Sequence, residues 1–258
     1  MRETDRAVIV TGAAQGLGLA CAERFIADGD RVLMVDVKEE ALLAAADRLG
    51  ANAVAHAADL STLNAEGAAG IVAACREAFG RCDVLINNAG IIVQADFVDF
   101  PEDGFDQTMA VNLKAPFLLG QAAARAMIDQ GEGGAIVNMS SVNAELAIPN
   151  TVAYACSKGG MKQLTAVMSI GLIKHGIRVN AIGPGTILTD MVRQSVMQSD
   201  AARNTILSRT PAGRCGEPSE VASVAAFLCG PDASYVVGQT IYPDGGRMVL
   251  NYTVPVPE

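Results

Sequence analysis

The sequence offers no ready seat for a metal ion. It has two histidines, His56 and His175, far apart, and six cysteines at positions 21, 75, 82, 156, 215 and 229, none in a C-x-x-C pair. Zinc and iron–sulfur spacings are therefore missing, and the thiols read as ordinary core or surface groups. There is no Lys/Arg cluster. With 19 basic residues against 28 acidic ones the formal charge is -9, a poor match to nucleic acid or an anionic membrane. Nor is there an apolar run of about 18 residues, or a charged leader ahead of a shorter one, so the expectation is a soluble cytoplasmic protein. Long polar and low-complexity tracts are missing too, which argues against disorder away from the termini. What is present is 258 residues, 50% of them hydrophobic, enough for one large domain with a substantial core.

The chain is organised around Ala7–Gly18, AVIVTGAAQGLG. A short apolar run reads as a buried parallel strand. Glycines follow at 12, 16 and 18, and Leu17, Leu19, Ala20, Ala22, Phe25 and Ile26 then recur at helical spacing. Strand, glycine-rich turn and helix together let backbone N–H groups and a helix N-terminus face a pyrophosphate. The glycines by themselves suit a merely flexible turn; the flanking strand and helix favour the phosphate site.

Arg31–Val35 reads as the second strand, closed by Asp36. An acid at that place can accept both ribose hydroxyls of NAD and repels the 2′-phosphate of NADP. It can also cap a helix over Glu39–Leu49, and Lys38 keeps NADP open as the less favoured cofactor. Ala53–Ala57 reads as a third strand. Asp59 after it either holds adenine or caps the next helix, Asn64–Phe79, with Leu60 beside it. Asp83–Ile86 is the fourth strand and runs into Asn87-Asn88-Ala89-Gly90. Amides and a glycine at the carboxyl end of a central strand sit where open α/β sheets bind ligands, although such dipeptides are also common turns. Asn87 is placed to brace neighbouring strands. The alternation predicts a doubly wound parallel sheet.

Phe105–Val111 leads to Asn112, followed by a helix over Leu113–Ile128. Ala135–Met139 is the fifth strand and ends in Ser140-Ser141. Tyr154 and Lys158 stand at i and i+4 in a helix over Val152–Leu172, on one face. An ammonium beside a phenol stabilises the phenolate, which suits Tyr154 to general acid/base work, with Ser141 on the same substrate oxygen. Cys156 lies off that face and reads as packing. Arg178–Ile182 and Val236–Ile241 are the sixth and seventh strands, with Gly183-Pro184-Gly185 after the sixth. Met191–Leu207 reads as a helix, within a 186–212 segment closing over substrate. Pro218–Leu228 is a further helix. The tail, 247–258, is apolar for an exposed end and is expected either on a neighbouring subunit or folded back on its own chain.

Together these residues resemble the short-chain dehydrogenase/reductase family, over nearly the whole chain. Its T-G-x-x-x-G-x-G pattern appears as Thr11–Gly18, its N-N-A-G at 87–90, its catalytic Asn, Ser, Tyr and Lys at Asn112, Ser141, Tyr154 and Lys158. Its P-G and following Thr fall on Pro184, Gly185 and Thr189, and its late R-x-G-x-P-x-E on Arg214–Glu220. The resemblance implies one Rossmann-type domain with a seven-stranded parallel sheet, and hydride transfer between NAD(P) and a substrate carbon. Cofactor contacts would come from Gly12, Gln15, Gly16, Leu17, Gly18, Asp36, Asp59, Leu60, Asn88, Ala89, Gly90, Tyr154, Lys158, Pro184, Gly185 and Thr189. Asn112 would hold a relay water, and helices over 113–130 and 153–173 would pair subunits into a homotetramer. Many relatives carry small residues after the serine; here stand Asn143, Ala144 and Glu145. With Gln94 and Asn150 they line a polar mouth, which predicts a small sugar or polyol, as for the galactitol or glucose dehydrogenases of the family. Two rival readings are an NADPH-dependent 3-oxoacyl carrier-protein reductase and a non-enzymatic dinucleotide-binding regulator.

Overall fold

The computed structural model describes residues 5–189, 192–193 and 199–256. Strands β1 (Ala7–Thr11), β2 (Arg31–Asp36), β3 (Ala53–Ala57), β4 (Val84–Asn87), β5 (Gly134–Met139), β6 (Ile177–Ile182) and β7 (Thr240–Ile241) form one sheet. Their order is β3-β2-β1-β4-β5-β6-β7, and every pairing is parallel. Helices α1 (Gly16–Ala27), α2 (Glu39–Leu49) and α8 (Pro218–Cys229) cover one face; α3 (Ala65–Phe79), α5 (Ala115–Gln130) and α6 (Val152–Leu172) cover the other. The expected single Rossmann-type domain is what the chain adopts.

The alternation within β1 shows why one apolar run feeds two cores. Val8 and Val10 pack with Phe25 of α1, whereas Ala7 and Ile9 pack with Ile71 and Leu119 from the opposite layer. A strand buried on both faces has no polar side to show, so it reads as continuous hydrophobicity. Chain order reverses between β1 and β4, which opens a crevice at their carboxyl ends.

Two expected elements differ. The seventh strand is confined to Thr240–Ile241 instead of Val236–Ile241. Gly238 takes φ +71, and the Asn180 side chain donates to the Val236 carbonyl and accepts from the Gln239 N–H. The side chain thus takes two main-chain groups, while the Gly238 N–H and the Gln239 carbonyl still bond to β6. The helix expected over Met191–Leu207 is seen as α7, Asp200–Leu207, capped by the Ser199 hydroxyl on the Ala202 N–H at 3.2 Å. Residues 190–191 and 194–198 lie outside the described residues. Before α5, helix α4 (Glu102–Met109) runs into a π turn, Ala110–Lys114, that carries Asn112; such turns often mark functional sites.

Candidate active site

The glycine-rich turn closes onto the end of β4 because three glycines leave room. Gly12 has φ +65, and a β-carbon there would lie 2.9 Å from Ala89 Cα. One on Gly18 would overlap the carbonyl of Gly12, so only glycine lets α1 begin so close to the turn. The Thr11 hydroxyl accepts from the N–H groups of Asn88 and Ala89, both at 3.0 Å, and Asn88 Nδ2 donates to the Thr11 carbonyl at 2.9 Å. Thr11 is a fastening the sequence reasoning did not assign. α1 opens at Gln15 with no side-chain cap and no acid in its first turn. Its N–H groups and positive dipole end therefore suit an anion.

Asp36 ends β2 beside this turn. Its carboxylate accepts from the Ala14 N–H at 3.1 Å and the Lys38 N–H at 3.0 Å, so it braces the glycine turn and does not cap α2. Lys38 Nζ donates to Gln15 Oε1 at 3.2 Å. Asp59 does not cap α3, which Asn64 caps; its carboxylate accepts from the Ser61 N–H at 2.8 Å, ahead of the short turn Leu60–Thr62, and Leu60 is buried. Thr189 arches over Gly16, whose β-carbon would stand 3.5 Å from the threonine methyl. Leu17 packs on the core beneath α1. These features fit a dinucleotide: an open helix N-terminus, a turn no side chain fills and a carboxylate at the end of β2.

The four expected catalytic side chains converge at the ends of β4 and β5. Asn112 is fully buried and exchanges two hydrogen bonds with Ile91: Oδ1 accepts from its N–H at 2.8 Å, and Nδ2 donates to its carbonyl at 2.9 Å. Nδ2 also reaches the Ser157 hydroxyl at 3.1 Å. The asparagine thus locks the loop after β4 to α6. Gly90 lies between; a β-carbon on it would stand 3.4 Å from Asn112 Oδ1 and 3.6 Å from Lys158 Nζ. As expected, Asn87 braces the sheet, donating to Asn138 Oδ1 at 2.9 Å. Asn138 in turn donates to Thr165 on α6 at 2.9 Å.

Lys158 is buried, its Nζ donating to the Met139 carbonyl at 2.7 Å, and burial pushes its pKa down to about 8. The Tyr154 phenol is hydrogen-bonded with Ser141. Lys158 Nζ lies 5.5 Å from the centre of the Tyr154 ring, within cation–π range. The sequence predicts a depressed phenol; here burial pushes Tyr154 above its ordinary value, and the bond with Ser141 pulls the other way. Desolvation disfavours both the phenolate and the ammonium, and it is the larger effect on each. Cys156 is exposed rather than packed.

The expected mouth residues come together in part. The Ala95 N–H donates to the Asn150 carbonyl at 3.2 Å, bringing the loop of exposed Gln94 to that of Asn150. Asn143 gives its N–H to Ser141 Oγ at 3.1 Å. Glu145 pairs with Lys162 and accepts from the Tyr242 hydroxyl, neither of which the sequence reasoning singled out. The Val142 N–H donates to the Pro184 carbonyl at 3.1 Å, and the Gly185 N–H to that of Pro243 at 3.1 Å, fixing the Gly183–Gly185 turn. The tail folds back on its own chain at one point, Val254 N–H to the Ser208 carbonyl at 2.8 Å, while Val249 and Tyr252 remain exposed. Among the described residues there is no cluster of potential metal ligands and no helix long and apolar enough to cross a membrane.

Comparison with known proteins agrees with this geometry. Residues 12–247 match a family model described as enoyl-(acyl carrier protein) reductase. An L-rhamnose 1-dehydrogenase (NAD(P)(+)) of Azotobacter vinelandii is 38% identical over 252 residues, covering 95% of this chain and 97% of that protein. A galactitol 2-dehydrogenase (L-tagatose-forming) of Cereibacter sphaeroides is 39% identical over 243 residues, covering 93% and 94%. A crystal structure of a putative 2-deoxy-D-gluconate 3-dehydrogenase from Agrobacterium tumefaciens with bound NADP superposes with a TM-score of 0.87 at 34% identity, over 96% of this chain and 98% of that one.

Proposed function

Because this chain belongs to the short-chain dehydrogenase/reductase family and is an NAD(P)-dependent oxidoreductase, we propose that it interconverts a secondary alcohol and a ketone on a small sugar or polyol, with Tyr154 as general acid/base. The observation that carries this is the Ser141–Tyr154–Lys158 arrangement: a phenol held to a serine hydroxyl, with an ammonium fixed beneath its ring by the Met139 carbonyl. NAD is the preferred cofactor, NADP the weaker one, because Asp36 presents a carboxylate where a 2′-phosphate would lie.

A nicotinamide dinucleotide supplies the hydride acceptor or donor. The chain supplies the rest. Ser141 orients the substrate oxygen, and Tyr154 takes its proton during oxidation and returns one during reduction. Lys158 keeps a positive charge at the foot of the phenol, favouring phenolate as the proton leaves. Asn112 holds the loop after β4 in register with α6, and with it the wall formed by Ala89 and Gly90. Gln94, Asn143 and Asn150 offer amides to substrate hydroxyls, with the Glu145 carboxylate at the same mouth. An acyl chain would leave the three amides unpaired.

The subunits assemble as a cytoplasmic homotetramer. Phe117 on α5 and Val167 and Ile170 on α6 are exposed apolar side chains on the helices expected to pair. The apolar side chains of the tail, Val249 and Tyr252, then face a neighbour. Light scattering on an eluting peak checks the assembly; a monomer at micromolar concentration refutes it.

The deciding experiment is a panel of polyols, sugars, hydroxy acids and simple secondary alcohols with both oxidised cofactors, followed at the absorbance of reduced nicotinamide. Turnover of a polyol or sugar with NAD supports the reading. Preference for a 3-oxoacyl thioester with NADPH overturns the substrate class, and tight dinucleotide binding with no turnover of any substrate favours a binding protein.

A further inference from the structure

We propose that Glu145 is a positioning residue, one that clamps the turn carrying Ser141 between α6 and the end of β7. This deepens the dehydrogenase reading and rests on it. The sequence makes Glu145 a substrate ligand, since it stands four residues past Ser141 in a polar mouth. Its partners assign it other work.

Tyr154, Lys158 and Lys162 follow one another at four-residue steps along α6, so they share one stripe of the helix. The first two point into the buried site; Lys162 continues the stripe to the surface. There it meets Glu145, whose Oε1 accepts from Lys162 Nζ and also from the Tyr242 hydroxyl at 3.2 Å. Tyr242 follows β7, and its ring lies against Gly183 so closely that a β-carbon on the glycine would overlap it. The Gly183 N–H in turn donates to the Ile241 carbonyl at 2.8 Å.

The Ser141 turn is therefore held at two points. Its start is fixed by the Val142 N–H on the Pro184 carbonyl, and its end by the Glu145 side chain. Between them lies a single short turn, Val142–Ala144, whose first hydrogen bond is made by Ser141 Oγ itself, accepting from the Asn143 N–H. The direction of the serine hydroxyl thus depends on where this turn sits. The same carboxylate, through Tyr242, reaches the Gly183–Gly185 turn expected to meet the cofactor. Lys162 holds the Glu145 carboxyl below its ordinary value, and Glu145 raises Lys162, so the pair stays charged across neutral pH. An exposed ion pair of this kind adds little to stability. Its consequence lies in geometry, because small misplacements of a catalytic group are costly in rate.

The test compares Glu145→Ala, Glu145→Gln, Tyr242→Phe and the Ala/Phe double variant in the full-length protein. On the best alcohol of the panel, Glu145→Ala and Tyr242→Phe each lower kcat about tenfold, with KM changed less than about twofold. Glu145→Gln keeps an acceptor for Tyr242 and recovers most of the loss, and the double variant is no slower than either single one. The dissociation constant of the reduced dinucleotide, read by fluorescence, rises about threefold in Glu145→Ala and Tyr242→Phe, as expected when the Gly183–Gly185 turn loosens. A raised KM with kcat retained makes Glu145 a substrate ligand and overturns the proposal. So do additive losses in the double variant, or a glutamine variant no better than alanine. A wild-type protein that binds reduced dinucleotide but turns over no alcohol sinks the reaction class alone. In that case the dinucleotide constants of the variants decide the clamp: a rise supports it and unchanged values overturn it.

Discussion

Lys158 Nζ donates a hydrogen bond to the main-chain carbonyl of Met139 at 2.7 Å, fastening the middle of α6 to the last residue of β5. One bond thereby fixes the ammonium under Tyr154 and sets the distance between the tyrosine and Ser141, which follows β5 by two residues. It is made by a group that burial holds at about 8, well below its ordinary value. The site keeps a charge where desolvation disfavours it.

That depressed value makes stability depend on pH in a known direction. The folded chain releases the Lys158 proton near 8, the unfolded chain at about 10.4. Stability from this group is present above the unfolded value and is lost as pH falls through the folded one. Urea unfolding of wild type and Lys158→Met between pH 7.5 and 10.5, a range set by these two pKa values, checks it. The wild type gains on the variant by about 1.4 kcal/mol per pH unit inside the window. A constant difference between the two refutes the assignment.

Tyr154→Phe removes the proton carrier and leaves the ring. Turnover falls by about 10²-fold or more, while the dissociation constant for NAD changes by less than about threefold. Single-turnover absorbance and fluorescence titration measure the two quantities. Retained turnover refutes the role given to Tyr154.

Asp36→Ala loses both an electrostatic filter and a brace, since the carboxylate holds the Ala14 and Lys38 N–H groups. NAD binding weakens about tenfold, and the preference over NADP shrinks because the 2′-phosphate is no longer repelled. Competition titrations with both cofactors report it; unchanged selectivity counts against Asp36 as the filter.

Thr11→Val keeps the shape of a buried side chain and removes the acceptor of two N–H groups, those of Asn88 and Ala89. The protein loses about 2 kcal/mol in urea unfolding, and NAD affinity falls with it, because the glycine turn and the end of β4 are no longer tied. A stability change below about 0.5 kcal/mol would show that water satisfies these groups.

Gly18→Ala tests the close approach of α1 to the turn. The added methyl meets the Gly12 carbonyl, so the helix must shift outward. The melting temperature drops, by about 1–3 kcal/mol of stability, and NAD affinity falls further than in a surface Gly→Ala control such as Gly70, where a β-carbon meets nothing within 4 Å.

The order of strands and helices, the glycine turn and the Tyr154/Lys158 pair were legible in the sequence by itself. Each rests on a period or a spacing within a few residues: alternation in β1, four-residue steps in α6, glycine where a chain must turn tightly. The tertiary structure decided what distant residues do to one another. Burial by the whole domain raised the Tyr154 phenol against the expectation drawn from its neighbour at i+4. Asn180, 56 residues before Val236, took the Val236 carbonyl and the Gln239 N–H, two groups that a longer β7 would have used. Lys162 and Tyr242 turned Glu145 from a free carboxylate into a shared acceptor. Desolvation and hydrogen-bond partnership are set by what the fold brings near, and local spacing carries no record of it.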